Sequence, residues 1–522
     1  MTPAENAVVN APHLVILGDQ LTDQVGPLRE LLAGETEFSR PVLVVEVTGV
    51  RQAKRHIQAV AMQVAALRTF ADELNTRGVE TEVVAAGTLS EALATIRTRH
   101  GPVSITLMDP AQPQDLAEVE AWGRASGLPI TIATNQLWLT TRDEWAAFRA
   151  GRKELRMEFW YRRVRGARGW LMDDEDATKP LGGTWNLDQE NRERLAAGTA
   201  IPLPPQRSLP TNVSDVIQEL QSEGHELFGS AGEFRWPVTR RDALAELEAF
   251  CRDRLAGFGP YEDAMSRDHD HLFHSLLSPA LNLGILTPEE VCVRAIQEYR
   301  SRSSEIPLSS IEGFIRQILG WREFMHHAYI DFWREWESDN GLDAHQQLPE
   351  FYWTGETRMA CVSRVVKKLQ RSGHAHHIER LMVLGNFALL FGVNPQAVDS
   401  WFLETFIDAL PWVVTPNVVA MSQFADLGRI TSKPYISGGA YISRMGDDCS
   451  SCHYTPKEST GDRACPFTTL YWDFIDRHSE RFARNPRMAT QVRAWAGRAD
   501  PIKQEIRARA KEVRELVDRG EL

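Results

Sequence analysis

The stretch HLVILGDQL, residues 13–21, joins a five-residue apolar run to a Gly-Asp-Gln turn. Four further apolar runs read as strands, at residues 41–47, 81–86, 104–109 and 129–134. The segments between them, residues 52–77, 89–100 and 114–126, have the periodicity of amphipathic helices. Strands that alternate with helices predict a parallel sheet covered on both faces. We therefore expect an α/β, Rossmann-like domain over residues 1–135.

The chain changes character after residue 135. Residues 149–168 hold eight Arg or Lys against two Glu, with Phe159, Trp160 and Tyr161 among them. Cations interleaved with aromatics suit contact with phosphates and stacking on bases, although a solvated helix face has the same composition. Residues 197–238 are rich in proline, so we expect an interdomain linker over residues 136–238. Helical periodicity from Arg241 onward predicts a large all-α domain over residues 239–522.

Composition narrows the class of protein. The chain has 522 residues, 43% of them apolar, and a formal net charge of −13, which argues against indiscriminate binding to nucleic acid. Residues 1–12 lack the pattern of a signal peptide. The longest apolar run, residues 381–393, is shorter than the roughly 20 residues that a membrane span needs. We expect a cytoplasmic monomer without a membrane partner.

Four of the six cysteines form a pattern. Cys449 and Cys452 are separated by two residues, Cys465 follows before a proline, and Cys361 lies far upstream. Four thiolates suit a structural zinc ion or an iron–sulfur cluster, and the spacing alone does not choose between them. Cys251 and Cys292 stand singly in apolar helical surroundings and are expected to be packing residues.

Three stretches of the helical half carry a resemblance. They are HSLLSP at residues 274–279, FIRQILGWREF at residues 314–324, and HHIER at residues 376–380 followed by Trp401, FID at 406–408 and PN at 416–417. In order and spacing they resemble the flavin-binding domain of photolyases and cryptochromes. With the four cysteines, the chain is similar to the branch that comprises iron–sulfur bacterial cryptochromes and prokaryotic (6-4) photolyases. The resemblance implies an FAD and a [4Fe-4S] cluster held by the four cysteines.

The same resemblance assigns candidate flavin contacts. The serine-rich turn would cradle the FAD diphosphate, a role that suits backbone N–H groups at a helix start. Arg380 and Asp408 match the pair beside the isoalloxazine ring, and Asn417 or Asn386 is the candidate near its N5 atom. The full set of candidate flavin contacts is His274, Ser275, Leu277, Ser278, Trp321, Arg322, Arg380, Asn386, Asp408 and Asn417.

His377 is the expected catalytic residue, with its neighbour His376 ranked second. In the family this position separates (6-4) repair enzymes, which have histidine, from enzymes that repair cyclobutane dimers, which have asparagine. Reversal of a (6-4) adduct moves a hydroxyl or amine between bases and so requires a proton donor. An imidazole with an ordinary pKa near 6.5 can donate and recover a proton close to neutrality.

Two accessory functions follow from the resemblance, each with a departure from the family pattern. Trp401 and Trp353 match the inner and outer members of the electron-transfer chain, but Phe402 stands where a tyrosine or tryptophan is common. We expect slower flavin photoreduction or direct transfer between the two tryptophans. Asp19, Gln20 and Glu46 match the site of a ribityl lumazine antenna. Val50 and Ala53 replace two further contacts, so binding of the lumazine is expected to be weak, altered or absent.

The predicted function is light-dependent repair of (6-4) photoproducts in UV-damaged DNA by a flavin-dependent lyase. Candidate DNA contacts comprise pocket aromatics and cations, namely Tyr435, Tyr441, Trp401, Arg162, Arg163, Lys367, Lys368 and Arg371. A blue-light photoreceptor with little repair activity and an unknown signalling partner is the alternative. A zinc-stabilised nucleic-acid-binding protein would require the flavin motifs to be accidental.

Overall fold

The computed structural model describes residues 11–51 and 54–522, and of Val50 it describes the backbone only. The expected helix start at Gln52 and the antenna position Ala53 lie outside these residues. Five parallel strands form one sheet in the order β3-β2-β1-β4-β5. Their bounds are β1 His13–Ile16, β2 Ser39–Val47, β3 Thr81–Ala86, β4 Ile105–Met108 and β5 Ile130–Ala133. The predicted Rossmann-like sheet is confirmed.

The three central strands β1, β2 and β4 are buried on both faces, and their successive side chains point to opposite sides of the sheet. Leu14, Ile16, Val42 and Val44 belong to one apolar cluster, which includes much of the helix Ile57–Thr76. Val15, Leu43 and Val45 belong to a second cluster on the other face, with Leu93 and Val119 from the next two helices. The near-continuous apolar strands of the sequence are explained by this double coverage.

The remainder is mostly helical. The helices are α1 Gly26–Leu32, α2 Ile57–Thr76, α3 Leu89–His100, α4 Pro113–Ser126, α5 Arg142–Arg149, α6 Met157–Arg168, α7 Thr211–Ser222, α8 Arg240–Ala249, α9 Leu255–Phe258, α10 Ser278–Asn282, α11 Pro288–Ser301, α12 Leu308–Ile315, α13 Glu323–Trp336, α14 Phe351–Thr354, α15 Ala360–Ser372, α16 Asn386–Phe391, α17 Pro395–Thr405, α18 Pro411–Thr415, α19 Gly439–Met445, α20 Pro466–Arg477, α21 Ser479–Phe482, α22 Ala489–Ala496 and α23 Asp500–Asp518. Among the described residues, no helix combines the length and apolarity that crossing a bilayer requires.

Segments of π-helix interrupt this part of the chain. They span Phe250–Arg254, Arg316–Arg322, Glu379–Gly385 and Pro416–Ser422. The last three coincide with motifs of the predicted flavin site. Such segments occur frequently at functional sites, because the widened turn re-aims side chains. The local backbone therefore marks the same region as the sequence motifs.

The segment between the sheet and the helical part is not featureless. Its helix α7 buries Val213, Val216, Ile217 and Leu220 and packs against α2. Earlier in the segment, α6 buries Trp160 and Tyr161 against the π-helical Arg316–Arg322. One side of the aromatic-basic segment thus packs in the core, while Phe159 is 52% exposed.

The Gly-Asp-Gln turn after β1 contacts the helical part directly. The backbone N–H of Leu21 donates to the carbonyl of Leu283 over 2.9 Å. Gly284 follows with a φ of +76°, and a Cβ there would lie 3.1 Å from both the Asp19 carbonyl oxygen and the Leu21 nitrogen. Glycine is required at this junction for both its backbone conformation and its lack of a side chain.

Candidate active site and four-cysteine site

The serine-rich turn has an unusual backbone. Leu272 and Leu276 adopt φ values of +42° and +61°, in the left-handed region that a branched side chain rarely occupies. Such outliers cluster at ligand sites, where the surrounding structure holds them. At the end of the turn, Ser278 begins α10 and donates from Oγ to Oδ2 of Asp408 over 2.6 Å.

Asp408 joins the turn to Arg380. The guanidinium of Arg380 lies 3.0 Å from Oδ1 and donates to Oδ2 over 3.1 Å. Asn282 donates to the Asp408 backbone carbonyl over 2.8 Å. Residues separated by about 130 positions therefore form one hydrogen-bonded unit. The predicted Arg–Asp pair and the predicted phosphate turn are adjacent in space.

Arg322, which the sequence places in an aromatic environment, has its own counter-ion. It donates to Oε1 of Glu323 over 2.9 Å, and its guanidinium lies 4.0 Å from the ring centroid of Trp138. Glu323 also accepts from the backbone N–H of Thr140 over 3.0 Å. An anionic ligand is consequently not needed to neutralise Arg322.

The two candidate asparagines differ in availability. Asn386 is fully buried, and its amide exchanges hydrogen bonds with Ser437: it donates to the carbonyl over 2.9 Å and accepts from the N–H over 3.1 Å. Asn417 is half-buried and donates to the Val413 carbonyl over 2.7 Å, which leaves its side-chain oxygen for a ligand. Asn417 therefore suits a flavin contact better than Asn386.

Three imidazoles meet beside this unit. A ring nitrogen of each of His274, His376 and His377 lies within 4.8 Å of the others, and the rings of His274 and His376 stack at 4.5 Å. Both nitrogens of His274 face backbone carbonyls, His271 and Glu262, at 3.1 Å each. The ring of His274 is thus held by the surrounding backbone.

The two histidines of the pair have opposite electrostatic environments. His376 is buried, and desolvation holds its pKa well below the usual value. The His377 side chain is 46% exposed, and its Nε2 lies 3.5 Å from Oδ1 of Asp263. Desolvation lowers the pKa of His377, but Asp263 and Glu262 together outweigh it, so the net shift is upward. The neutral form of His376 is therefore favoured, whereas the pKa of His377 lies above its usual value. When the pKa values of two neighbouring groups are shifted in opposite directions, the group with the higher pKa is the better candidate for the proton donor.

The four cysteines line one cavity, with Met359 and Tyr454 beside them. Among the described residues, the His274–His376–His377 group is the only set of three or more potential ligand atoms within 4.8 Å of one another, so no three cysteine sulfurs approach that closely. Both a structural zinc ion and an iron–sulfur cluster take four cysteine ligands, so the shared cavity is compatible with either group.

Comparison with known proteins identifies the family to which the chain belongs. A family model described as deoxyribodipyrimidine photo-lyase-related protein matches residues 14–236. A (6-4) photolyase of Agrobacterium fabrum (strain C58 / ATCC 33970) is 37% identical over 504 residues, which cover 95% of this chain and 98% of the relative. The chain belongs to the photolyase/cryptochrome family, in the branch of the bacterial (6-4) photolyases. This membership implies a flavin cofactor.

Solved structures show the same photolyase/cryptochrome fold. A bacterial class III photolyase from Agrobacterium tumefaciens superposes with a TM-score of 0.56 at 19% identity, over 85% of this chain and 88% of that one. A cryptochrome of Synechocystis sp. PCC6803 superposes with a TM-score of 0.60 at 13% identity, over 96% and 99%. At these identities the likeness concerns the fold alone.

Trp401 and Trp353, which match the two electron-transfer positions of the family, are in contact in this protein. The ring centroids of Trp401 and Trp353 lie 6.4 Å apart, edge to face. Trp401 is buried and Trp353 half-buried, so the pair leads from the interior toward the surface. Phe402 lies 5.2 Å from Trp401, edge to face, and also stacks on Phe406 at 4.9 Å. Both Trp353 and Phe402 therefore neighbour the buried Trp401.

The residues that match the family's antenna site have protein partners here. Glu46 forms ion pairs with Arg51 and Arg68. Gln20 donates to the carbonyls of Met108 and Asp109, each over 3.3 Å. Burial raises the pKa of Asp19 to about 7. Glu46 and Gln20 are therefore already engaged by other residues of this chain.

The candidate DNA contacts of the photolyase chain separate into exposed and buried groups. Arg162 and Arg163 are exposed on α6. Lys367 and Arg371 are about half exposed and pair with surface acids. The Lys368 side chain is only 1% exposed and pairs with Glu379. The prediction that Lys368 contacts DNA is therefore wrong, because α15 turns this ammonium into the interior.

Two functional neighbours of the histidine pair are missed by sequence reasoning. Asp263 lies more than 110 positions upstream of His377, and no spacing rule relates them. Glu379 stands inside the HHIER motif but carries no pattern of its own. The one available signal is the charge of Glu379 itself: a charged residue at an otherwise buried helix start requires a partner of opposite charge.

Proposed function

We propose that this protein repairs (6-4) photoproducts in UV-damaged DNA with light, as a lyase. The observation that carries the proposal is the His376–His377 pair, whose exposed member lies 3.5 Å from Asp263, in the same helical segment as Arg380 of the Arg380–Asp408 unit. In this proposal residues 1–135 form the α/β domain, residues 136–238 connect it, and residues 239–522 form the catalytic domain. The protein acts on DNA in the cytoplasm.

The residues present suit a flavin. The Nε1–H of Trp401 and the Nε2 of His376 are buried, and neither has a hydrogen-bond partner among the described residues. Ser275, Leu277 and Ser278 would hold the diphosphate, and Arg380 the electron-rich edge of the ring. Reduced FAD supplies, once excited, the electron that opens the lesion. The positive charge of Arg380 would favour the anionic reduced form, and the hydrogen bonds to Asp408 would hold the guanidinium in place.

His377 is the proton donor of the proposal. Its exposed side chain can reach a base flipped out of the duplex, and damaged bases cost least to unstack. Asp263 and Glu262 raise the pKa of His377 and so favour its imidazolium form relative to a free histidine. The proton passes from Nδ1 or Nε2 to the group that moves between the bases and returns after the bond between the bases breaks. His376, buried and neutral, orients its neighbour.

We further propose that Cys361, Cys449, Cys452 and Cys465 bind a [4Fe-4S] cluster. Two features of the structure support a metal site, beside the family resemblance that favours the cluster: the shared cavity, and the N–H of Tyr454, which donates to Sγ of Cys452 over 3.5 Å. Donation to a sulfur stabilises the thiolate that a metal requires. The cluster is structural in this proposal.

Illumination of the reduced protein with an oligonucleotide containing one (6-4) adduct tests the function. Intact thymines should be restored, and His377→Asn should lower the rate about 100-fold or more while the flavin spectrum persists. His225→Asn, on the surface away from the site, is the matched control. Normal flavin photoreduction without any restored thymine would reject repair and support the photoreceptor, for which the contact between Trp401 and Trp353 would suffice.

A further inference from the structure

Glu379 lies at the centre of a buried charge network. Its carboxylate accepts from Nζ of Lys368 and from the guanidinium of Arg364, the latter over 2.7 Å. It also accepts from the backbone N–H of His376 over 3.2 Å. The side chains of Glu379 and Lys368 are each only 1% exposed.

The network continues to the four-cysteine site. Arg364 donates to both carboxylate oxygens of Asp448, over 2.7 and 3.0 Å. Asp448 directly precedes Cys449, and Arg364 lies on α15 one turn after Cys361. One helix face therefore presents a cysteine, an arginine and a lysine in succession, at positions 361, 364 and 368.

The four charges balance, since two cations face two carboxylates. Burial of such a set contributes little net stability, because desolvation offsets the attraction between the charges. Apolar side chains of similar volume would serve the fold as well. The bond to the His376 backbone is the part of the network that an apolar replacement cannot supply.

We propose that Glu379 is a positioning residue for the His376–His377 pair, and that Arg364 joins it to the loop that carries Cys449. The carboxylate fixes the backbone at His376, where the chain turns from α15 into the π-helical segment. The imidazole of His377 then projects toward Asp263. The four-cysteine site acts through this chain of contacts as an anchor for the histidine pair.

The variant Lys368→Met/Glu379→Met tests the inference. It removes one cation and one anion, keeps similar volume, and leaves Arg364 paired with Asp448. We expect full flavin and iron content, and imidazole ¹⁵N resonances of His376 and His377 displaced from their positions in the unmodified protein. Repair turnover should fall about tenfold or more with an unchanged KM for the lesion, since small misplacements of a catalytic group are costly.

The matched control is Arg294→Met/Glu298→Met. Glu298, on α11, also lies between two cations: Arg294 at 3.0 Å and Arg302 at 2.8 Å. This control should lower thermal stability at most, without moving the histidine resonances or turnover.

Two further measurements apply if the first variant does not fold. Glu379→Gln keeps one acceptor oxygen for three donors, so the resonances should move in the same direction by a smaller amount. In the unmodified protein the His376 amide should be protected from hydrogen exchange. Unmoved resonances in a folded variant, or exchange at the rate of an exposed amide, would overturn the inference. The turnover readout rests on the proposed repair function, whereas the resonances and exchange do not, so the two failures are distinguishable.

Discussion

Nε2 of His377 lies 3.5 Å from Oδ1 of Asp263, and this ion pair joins the HHIER motif to the segment before the serine-rich turn. Tyr441 and Arg192 also approach Asp263, the latter at 4.0 Å. The charged and titratable groups that face His377 are Asp263, Glu262 and Arg316, with the neutral His274 and His376 behind it. The carboxylates outweigh desolvation and the arginine, so the pKa of His377 is raised.

Asp263→Asn should shift the pH profile of repair. A raised pKa in the folded protein keeps His377 protonated to higher pH, and activity that needs the proton is lost as the pH rises through that pKa. Without the carboxylate the pKa falls, so the alkaline limb moves to lower pH while the maximal rate at acid pH is retained. Asp343→Asn, which removes the partner of exposed His345, is the matched control. An unmoved alkaline limb would show that Asp263 does not charge His377.

The tryptophan pair makes a prediction about photoreduction. Trp353→Phe should slow flavin photoreduction at least about tenfold, because a phenylalanine cannot accept the hole from Trp401. Phe402→Tyr should change the rate less than about twofold, since Trp401 and Trp353 are already in contact. Transient absorption in the presence of an electron donor measures both. A strong acceleration in Phe402→Tyr would mean that the direct path is inefficient.

Gly284→Ala should destabilise the protein at the junction of the sheet and the helical part. The left-handed backbone costs about 1–2 kcal/mol for alanine, and the Cβ would crowd Leu137 at 3.0 Å as well as the Asp19 turn. Gly198→Ala, with a φ of +80° and nothing within 4 Å of its Cβ, incurs the backbone cost alone. Urea unfolding should therefore show a larger loss for Gly284→Ala than for Gly198→Ala.

Removal of a cysteine ligand should empty the four-cysteine site. Cys465→Ala is expected to abolish most iron binding and the associated broad visible absorbance, and to lower the melting temperature, because the metal stabilises only the folded state. Cys251→Ala is the control, since this thiol is equally buried and its pKa is raised to about 12 by burial. Stoichiometric zinc in place of iron in the unmodified protein would contradict the assignment.

Much of the architecture follows from local patterns. The apolar runs at residues 13–17, 41–47 and 81–86 predict strands that differ from the observed ones by no more than two residues at either end. Helical periodicity predicts α3 and α4 equally well. These elements are predictable because burial of a sheet on two faces demands an apolar run in each strand. The packing of α7 on α2 could not be predicted, because the proline-rich composition around it obscures the periodicity of its four buried residues.

The sequence by itself determined the parallel sheet, the helical half, the four cysteines and the histidine pair, because each depends on residue type at short or recognisable spacing. Only the tertiary structure decided the partners: Asp263 for His377, Glu379 for Lys368, Glu323 for Arg322, and the arginines for Glu46. Electrostatic interactions depend on distance and burial, and folding sets both for residues far apart in the chain. The proton affinity of each histidine is therefore a property of the fold.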